Sequence, residues 1–362
     1  MRDKPTVGER AQSAGAVVAR VLLTGEEAEW GRFLRQHDYS AYHTIEWLRV
    51  LKTAYGFRPL PMVAVDAQNA IRAVLPLMHV RVTPFHGKVI SVPHQMCAGG
   101  ILAGDARSED VLLSAAVATA RALRARYIEV RGPLGGESYV RHGFREQQLS
   151  MVEAVAPLDH LDIGRIWKGH RLDVRKAEKS NAKICHAENL SEWRSFYELL
   201  ELQMREFGSP GYGWTFFKEL FATMRDRATI ILAKSDGVVT GGVLLLCGAS
   251  EIHYKQGVVR TGFHQHGLGK LLIWEAMNWG ASKGFRRFNF GITPVGMASL
   301  IRFKEGWGAQ TRPIKTLVCP ITGSAPDFGE YYAGYQWQKA VWSKMPIAVT
   351  KILGHMLCRW FC

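Results

Sequence analysis

Three titratable side chains lie within four positions of one another in "EIHYKQGVV": Glu251, His253 and Tyr254. An amine attacks a carbonyl only when unprotonated, and a lysine-like amine has a pKa near ~10.4. A site for such chemistry therefore needs a base with its pKa tuned towards neutrality, acting directly or through water. These three are candidate catalytic residues. On an extended strand Glu251 and His253 share a face while Tyr254 points the other way. Directly downstream, "RTGFHQHGLGKLLIWEAMNWG" places His264, Gly267, Gly269 and Lys270 at the start of an amphipathic helix. Glycines there let a backbone approach a ligand, and the exposed N–H groups with the helix dipole favour phosphate. The same spacing also suits a glycine-rich loop that simply enters a core helix.

Two basic stretches and one aromatic one follow. In "HRLDVRKAEKSN", Arg171, Arg175 and Lys179 recur every four residues and line one helix face, with Lys176 adjacent. Such a row can hold phosphates or can be a solvated face. In "FRRFNFGITPVGMASLIRFKEGWGAQTRP" a predicted strand breaks at Gly291, and a basic, aromatic run ends in Trp307 and Gly308. The tail "KMPIAVTKILGHMLCRWFC" sets Lys351, His355 and Arg359 on one stripe, with Val349, Ile352, Leu353, Met356, Leu357, Trp360 and Phe361 opposite. That pattern fits a helix lying in an anionic membrane interface, or one docked on the protein's own core.

The elements that must position these residues belong to a chain of 362 residues, 47 % hydrophobic and 22 % charged, which is a globular composition. Its net charge of +14 favours an anionic partner: nucleic acid, a phospholipid surface or a phosphorylated substrate. The six cysteines are scattered and read as free thiols in a reducing compartment, with no metal site expected. No stretch approaches a signal-peptide core or a membrane span, so a cytoplasmic protein is expected, soluble or peripheral at the inner face of the membrane. The order helix–strand–strand–helix–strand occurs twice in outline. It predicts an α/β fold of two similar domains, each a mixed, partly antiparallel sheet flanked by helices. The expected boundaries are a disordered N-terminus over 1–18, domains over 19–155 and 156–322, and an amphipathic tail over 323–362.

Together "VRKAEKSNAKI", "WEAMNWGASKGFRRFNFGITP" and "FKEGWGAQTRP" resemble, in order and spacing, the FemAB/FemX-like acyl- and aminoacyltransferases of the GNAT superfamily. The resemblance is closest to a branch found with exopolysaccharide and protein-sorting systems, and "HTIEWLRVLKTAYGFRP" and "VISVPHQMCAGG" also match family elements. It implies two GNAT-like domains and transfer of an acyl or aminoacyl group to an amine, usually on a cell-wall or surface-glycan precursor. Position by position it places Arg171, Arg175 and Lys176 on the family's basic helix, and Asn289, Gly291, Lys304, Trp307 and Gly308 on its strand-and-WGA block. All of these are then candidate substrate-binding residues. The break at Gly291 is expected to open the sheet edge as an acceptor cleft, with Lys304 reaching towards it. His264, Gly267, Gly269 and Lys270 match the superfamily's pyrophosphate loop, which makes acyl-CoA the expected donor and aminoacyl-tRNA the alternative. Asn289 stands where the family usually has Asp and Ile292 where it often has Arg. The Asn favours a third reading, a non-catalytic module holding a polysaccharide machine at the membrane.

Overall fold

The computed structural model describes residues 16–83, 86–93, 99–132, 135–263, 266–322 and 336–358. The first half contains β1 (Val18–Val21), α1 (Glu27–Arg35), α2 (Ile45–Tyr55), β2 (Arg58–Val65), β3 (Ile71–Thr83), β4 (His86–Ile90) and β5 (Leu102–Ala103). It closes with α3 (Ala106–Ala122), β6 (Tyr127–Gly132), α4 (Glu137–Arg141) and β7 (Arg145–Glu146). The second half begins with β8 (Met151–Pro157), α5 (Lys168–Glu178), β9 (Lys183–His186), α6 (Leu190–Glu206) and α7 (Trp214–Thr223). It continues through β10 (Ala228–Ser235), β11 (Val238–Cys247), β12 (Glu251–Val259), α8 (Leu268–Ser282), β13 (Arg287–Pro294), α9 (Ala298–Glu305) and β14 (Gln310–Pro320). Two further helices follow, α10 (Gln336–Lys344) and α11 (Ile347–Cys358).

Local signals account for many of these limits. Thr44 caps α2 by accepting from the Trp47 N–H, and Gly56, at φ 69°, ends it with its own N–H on the Lys52 carbonyl. Asp236 and Gly237, both at positive φ, make the tight turn between β10 and β11.

All the strands join one 14-stranded sheet, whose main path runs β1-β2-β3-β4-β6-β14-β8-β13-β12-β11-β10-β9. Pairing is antiparallel except at β4–β6 and β12–β13, one parallel pair in each half. That is the twofold repeat anticipated from the sequence. The halves are nevertheless stitched together. Gln310–Ile314 of β14 pairs with β8, while Lys315–Pro320 pairs with β6. The expected division at 155/156 falls inside β8, which pairs on both sides with strands of the second half.

One face of the sheet carries a core common to both halves. It includes Trp30 of α1, Trp47 of α2, Phe196 of α6 and Phe216 of α7. The other face has two cores, one under α3 around Leu112 and Ile128, the other under α5 and α8 around Val174, Leu272 and Phe288. The candidate chemistry sits in this last region. Among the described residues no helix is long and apolar enough to cross a membrane. The tail at 323–335 and 359–362, and the N-terminal residues 1–15, lie outside the described residues.

Candidate active site

The site begins where two parallel strands separate. β12 and β13 pair at Glu251–Arg287, Ile252–Phe288 and His253–Asn289, where their ladder ends. Past that point each strand follows its other neighbour. β12 stays on β11 with a bulge that leaves Lys255 out of register. β13 stays on β8, its register jumping from Asn289–Val155 to Ile292–Glu153. The jump comes from Gly291, whose φ of 75° is left-handed and whose N–H is held by Asn289 Oδ1 at 2.8 Å. Contrary to the expectation from the sequence, Gly291 neither breaks the strand nor opens a sheet edge. It forms a bulge in an interior strand, and the opening lies on the opposite side, between β13 and β12.

A cavity of about 390 Å³ occupies this region, between the parted strands, α8 and α9. Tyr254, Gly269, Lys270, Phe290, Phe303 and Lys304 are among its lining residues. Lys304 is 5 % exposed, and its Nζ donates to the Gly291 carbonyl at 2.9 Å and to Thr293 Oγ1 at 2.6 Å. Burial lowers its pKa to about 8, against the opposing pull of the Glu153 charge. An ammonium has three hydrogens; with two engaged, one remains for a ligand in the cavity. Tyr254 is inside the protein, and burial pushes its phenol up to about 12. A Cβ at Gly257 would lie 1.7 Å from the Tyr254 hydroxyl, so the glycine makes room for the ring.

The loop at the start of α8 divides into two parts. Gly267 has φ 75°, and a Cβ there would lie 2.3 Å from the Asp173 carbonyl oxygen. The backbone of α5 therefore requires a glycine here, and Gly267 lines the cavity as well. Lys270 is ion-paired with Asp173, which further ties the loop to α5. Gly269 faces the cavity, and with Leu268 it precedes the amides that bond back to the Gly267 carbonyl. His264 lies outside the described residues.

On the other side of the strands, Glu251 and His253 do not line the cavity. They share a face, as expected, but that face looks towards α2: His253 packs edge-on against Tyr42 at 5.0 Å between centroids. Glu251 joins a buried polar array that the sequence reading missed. The Asn289 amide donates to Glu153 Oε1 and to Glu251 Oε1, each at 2.8 Å. Arg312 reaches Glu153 at 2.7 Å, and Arg287 joins Glu251 at 3.2 Å to Asp38. Burial raises the Glu251 pKa; the Asn289 and Arg287 hydrogen bonds oppose the shift, and the nearby Glu153 charge adds to it. Asn289 is therefore the residue this place needs, because an Asp would be a third buried carboxylate. The substitution is no mark of a decayed site. The readable signal for Glu153 was a carboxylate alone in the apolar strand "MVEAVAP".

The remaining candidates do not reach the cavity. Arg171 donates to the Gly164 carbonyl at 2.7 Å, while Arg175 and Lys176 are on the exposed side of α5. Trp307 is buried against His170, 4.7 Å between centroids, and His170 Nε2 donates to the Phe303 carbonyl at 3.0 Å. Gly308, at φ 79°, turns the chain from α9 into β14. Trp307 and Gly308 thus hold α9, and with it Lys304, in place, outside the lining of this cavity.

Residues 168–304 match the family model described as an acetyltransferase (GNAT) domain. No curated protein sequence matches the chain. Among solved structures, FemX superposes with a TM-score of 0.67 at 14 % identity, covering 88 % of this chain and all (100 %) of that one. L-PGS from Bacillus licheniformis gives 0.59 at 15 % identity over 90 % of this chain and 99 % of its own. A tandem GNAT protein from the clavulanic acid biosynthesis pathway gives 0.56 at 14 % identity over 86 % and 100 %. Residues 168–304, from α5 into α9, are thus similar to an acetyltransferase (GNAT) domain, and nearly the whole chain shares the fold of FemX and of the tandem GNAT protein.

Proposed function

We propose that the chain transfers an acyl group from an acyl-CoA to an amine on a cell-envelope glycan or lipid-linked precursor, by direct attack within a ternary complex. The observation that carries this reading is Lys304, buried at the wall of a cavity that runs from the amino end of α8 to the parting of β12 and β13. The donor's phosphates would meet the first amides of α8, and its acyl carbonyl would meet the remaining N–H of Lys304. When the amine attacks, the carbonyl oxygen gains negative charge, and an ammonium fixed by Gly291 and Thr293 stabilises it without reorganising. The amine's proton passes to water in the cavity. As the amide forms, the carbon–sulfur bond breaks and CoA leaves as its thiolate. Direct attack needs only proximity and an oxyanion donor, so no nucleophilic side chain is required.

A second donor, aminoacyl-tRNA, is favoured by one finding: two neighbours are named as a putative lysylphosphatidylglycerol synthetase, from Agrobacterium fabrum, and L-PGS. The +14 charge suits that donor as well. The test of the site is the same for both donors. Lys304→Met should lower kcat/KM by about 10²–10³-fold, with donor binding retained. Full activity in the variant would remove Lys304 from the mechanism.

A further inference from the structure

The last helix is turned in an unusual direction. α11 seats its small and polar side on the protein: Thr350, Gly354 and Cys358, spaced every four residues, are buried. A Cβ on Gly354 would lie 3.5 Å from the Gly211 backbone, so the helix sits close. Three of its large apolar residues face out, while Ile347, Leu353 and Leu357 are half-buried. Ile352 is 67 % exposed and Met356 56 %, with Val349 beside them one turn earlier. Val341 of α10, Leu202 of α6 and Phe207 just after it are exposed as well, and α6 is the helix on which α10 and α11 pack. Gly208, next to Phe207, abuts the Lys339 backbone of α10. The segment from Gln336 to Cys358 contains no acidic residue, and its Lys339 and Lys344 are exposed.

We infer that this ridge is a docking surface for an anionic lipid bilayer. An amphipathic helix that packs on its own protein buries its apolar side. This one buries small residues and leaves Val349, Ile352 and Met356 in water, where apolar area is costly. A bilayer interface removes that area from water, and its anionic headgroups attract the flanking lysines. The charge chooses the occupant: the 336–358 segment adds lysines and no acid to the ridge, Glu206 beside Phe207 being on the α6 flank, and a chain of net +14 meets a second copy of itself with repulsion. Helix α6 links the ridge to the chemistry: Gln203 lines the cavity, one residue from exposed Leu202. A bilayer at the ridge would thus bring the cavity close to lipid-linked amines. The docking surface itself does not depend on the group transferred.

Vesicle flotation of the full chain tests this directly. The chain should float with phosphatidylcholine vesicles containing roughly one-third phosphatidylglycerol, and weakly with phosphatidylcholine alone. Ile352→Glu with Met356→Glu should reduce partitioning at least about tenfold, and Lys339→Gln with Lys344→Gln by roughly tenfold in a salt-sensitive way. Because all four residues are exposed, the variants should melt with the wild type. Should the glutamate pair misfold, Ile352→Ser provides the same comparison. Absence of flotation in the wild type, or equal flotation of the folded ridge variants, overturns the inference. So does a wild-type dimer in light scattering that the ridge variants convert to monomer, which would make the ridge an interface between copies.

Discussion

Replacing Asn289 with Asp exchanges one amide NH2 for an oxygen inside a buried polar array. Asn289 is 1 % exposed and donates to two glutamates, Glu153 and Glu251, at 2.8 Å each. Asp removes both donors. Each lost hydrogen bond to a charged partner is worth roughly 1.5–3 kcal/mol, and three buried carboxylates then repel one another. The cluster can escape by taking up a proton. That limits the penalty to about 1.4 kcal/mol for each pH unit above an ordinary carboxyl pKa near ~4. The expected loss of stability is therefore at most about 5–6 kcal/mol at about pH 8, shrinking to about 2 kcal/mol near pH 5.5. The sign follows from linkage. The variant's shared carboxyl has a folded pKa raised above its unfolded value, so its stability is full below the unfolded pKa and is lost as pH rises through the folded one. The wild type has a weaker form of the same slope, because the Glu251 pKa is itself raised. Urea denaturation followed by tryptophan fluorescence at both pH values reads the difference. A variant within ~1 kcal/mol of wild type at about pH 8, with no pH trend, would refute the argument that Asn289 separates two charged glutamates.

Two further predictions probe the machinery and its frame. If the ammonium of Lys304 is the oxyanion donor, kcat/KM falls as pH rises through about 8, where that group loses its proton, and Lys304→Met abolishes this falling limb; a limb that persists in the variant belongs to another group. The two halves meet where Ala249 donates to the Tyr39 carbonyl at 2.8 Å, and a Cβ on Gly248 would lie 2.4 Å from that same oxygen. Gly248→Ala should cost about 1–3 kcal/mol in urea denaturation, and an unchanged midpoint would show that this junction yields freely.

Much of this architecture was legible because it is written in local periodicity. The helix 190–206, the hairpin at Asp236–Gly237 and the strand 251–259 each follow from side-chain period and turn chemistry, and all three are present. The order of elements also implied a repeated mixed sheet. Long-range pairing was not legible. Nothing near Gln310 announces that β14 will pair with β8 and then with β6, across the middle of the molecule. For the same reason the Glu153–Asn289–Glu251 array stayed hidden, since its members come from three strands. The candidate site was partly readable. Lys304, Gly269 and Tyr254 meet at the cavity, while the basic row on α5 and the Trp307–Gly308 pair do not reach it. Spacing identifies a helix face but not what that face meets. Gly267 shows the limit well: a glycine before a helix reads as a phosphate loop, and nothing in its spacing announces the Asp173 carbonyl packed against it.

The most direct test of the account is calorimetric titration of the protein with acetyl-CoA and longer acyl-CoAs, alongside Gly269→Glu. This position is preferable to Gly267, since a Cβ on Gly269 would make only an ordinary 3.4 Å contact with Val259. The account predicts that the wild type binds an acyl-CoA and that the variant, carrying a carboxylate where the donor's phosphates would lie, binds at least about tenfold more weakly. Equal binding by the two proteins would place the donor elsewhere. No binding of any acyl-CoA by the wild type would contradict the acyl-CoA donor and leave transfer from charged tRNA as the reading to test.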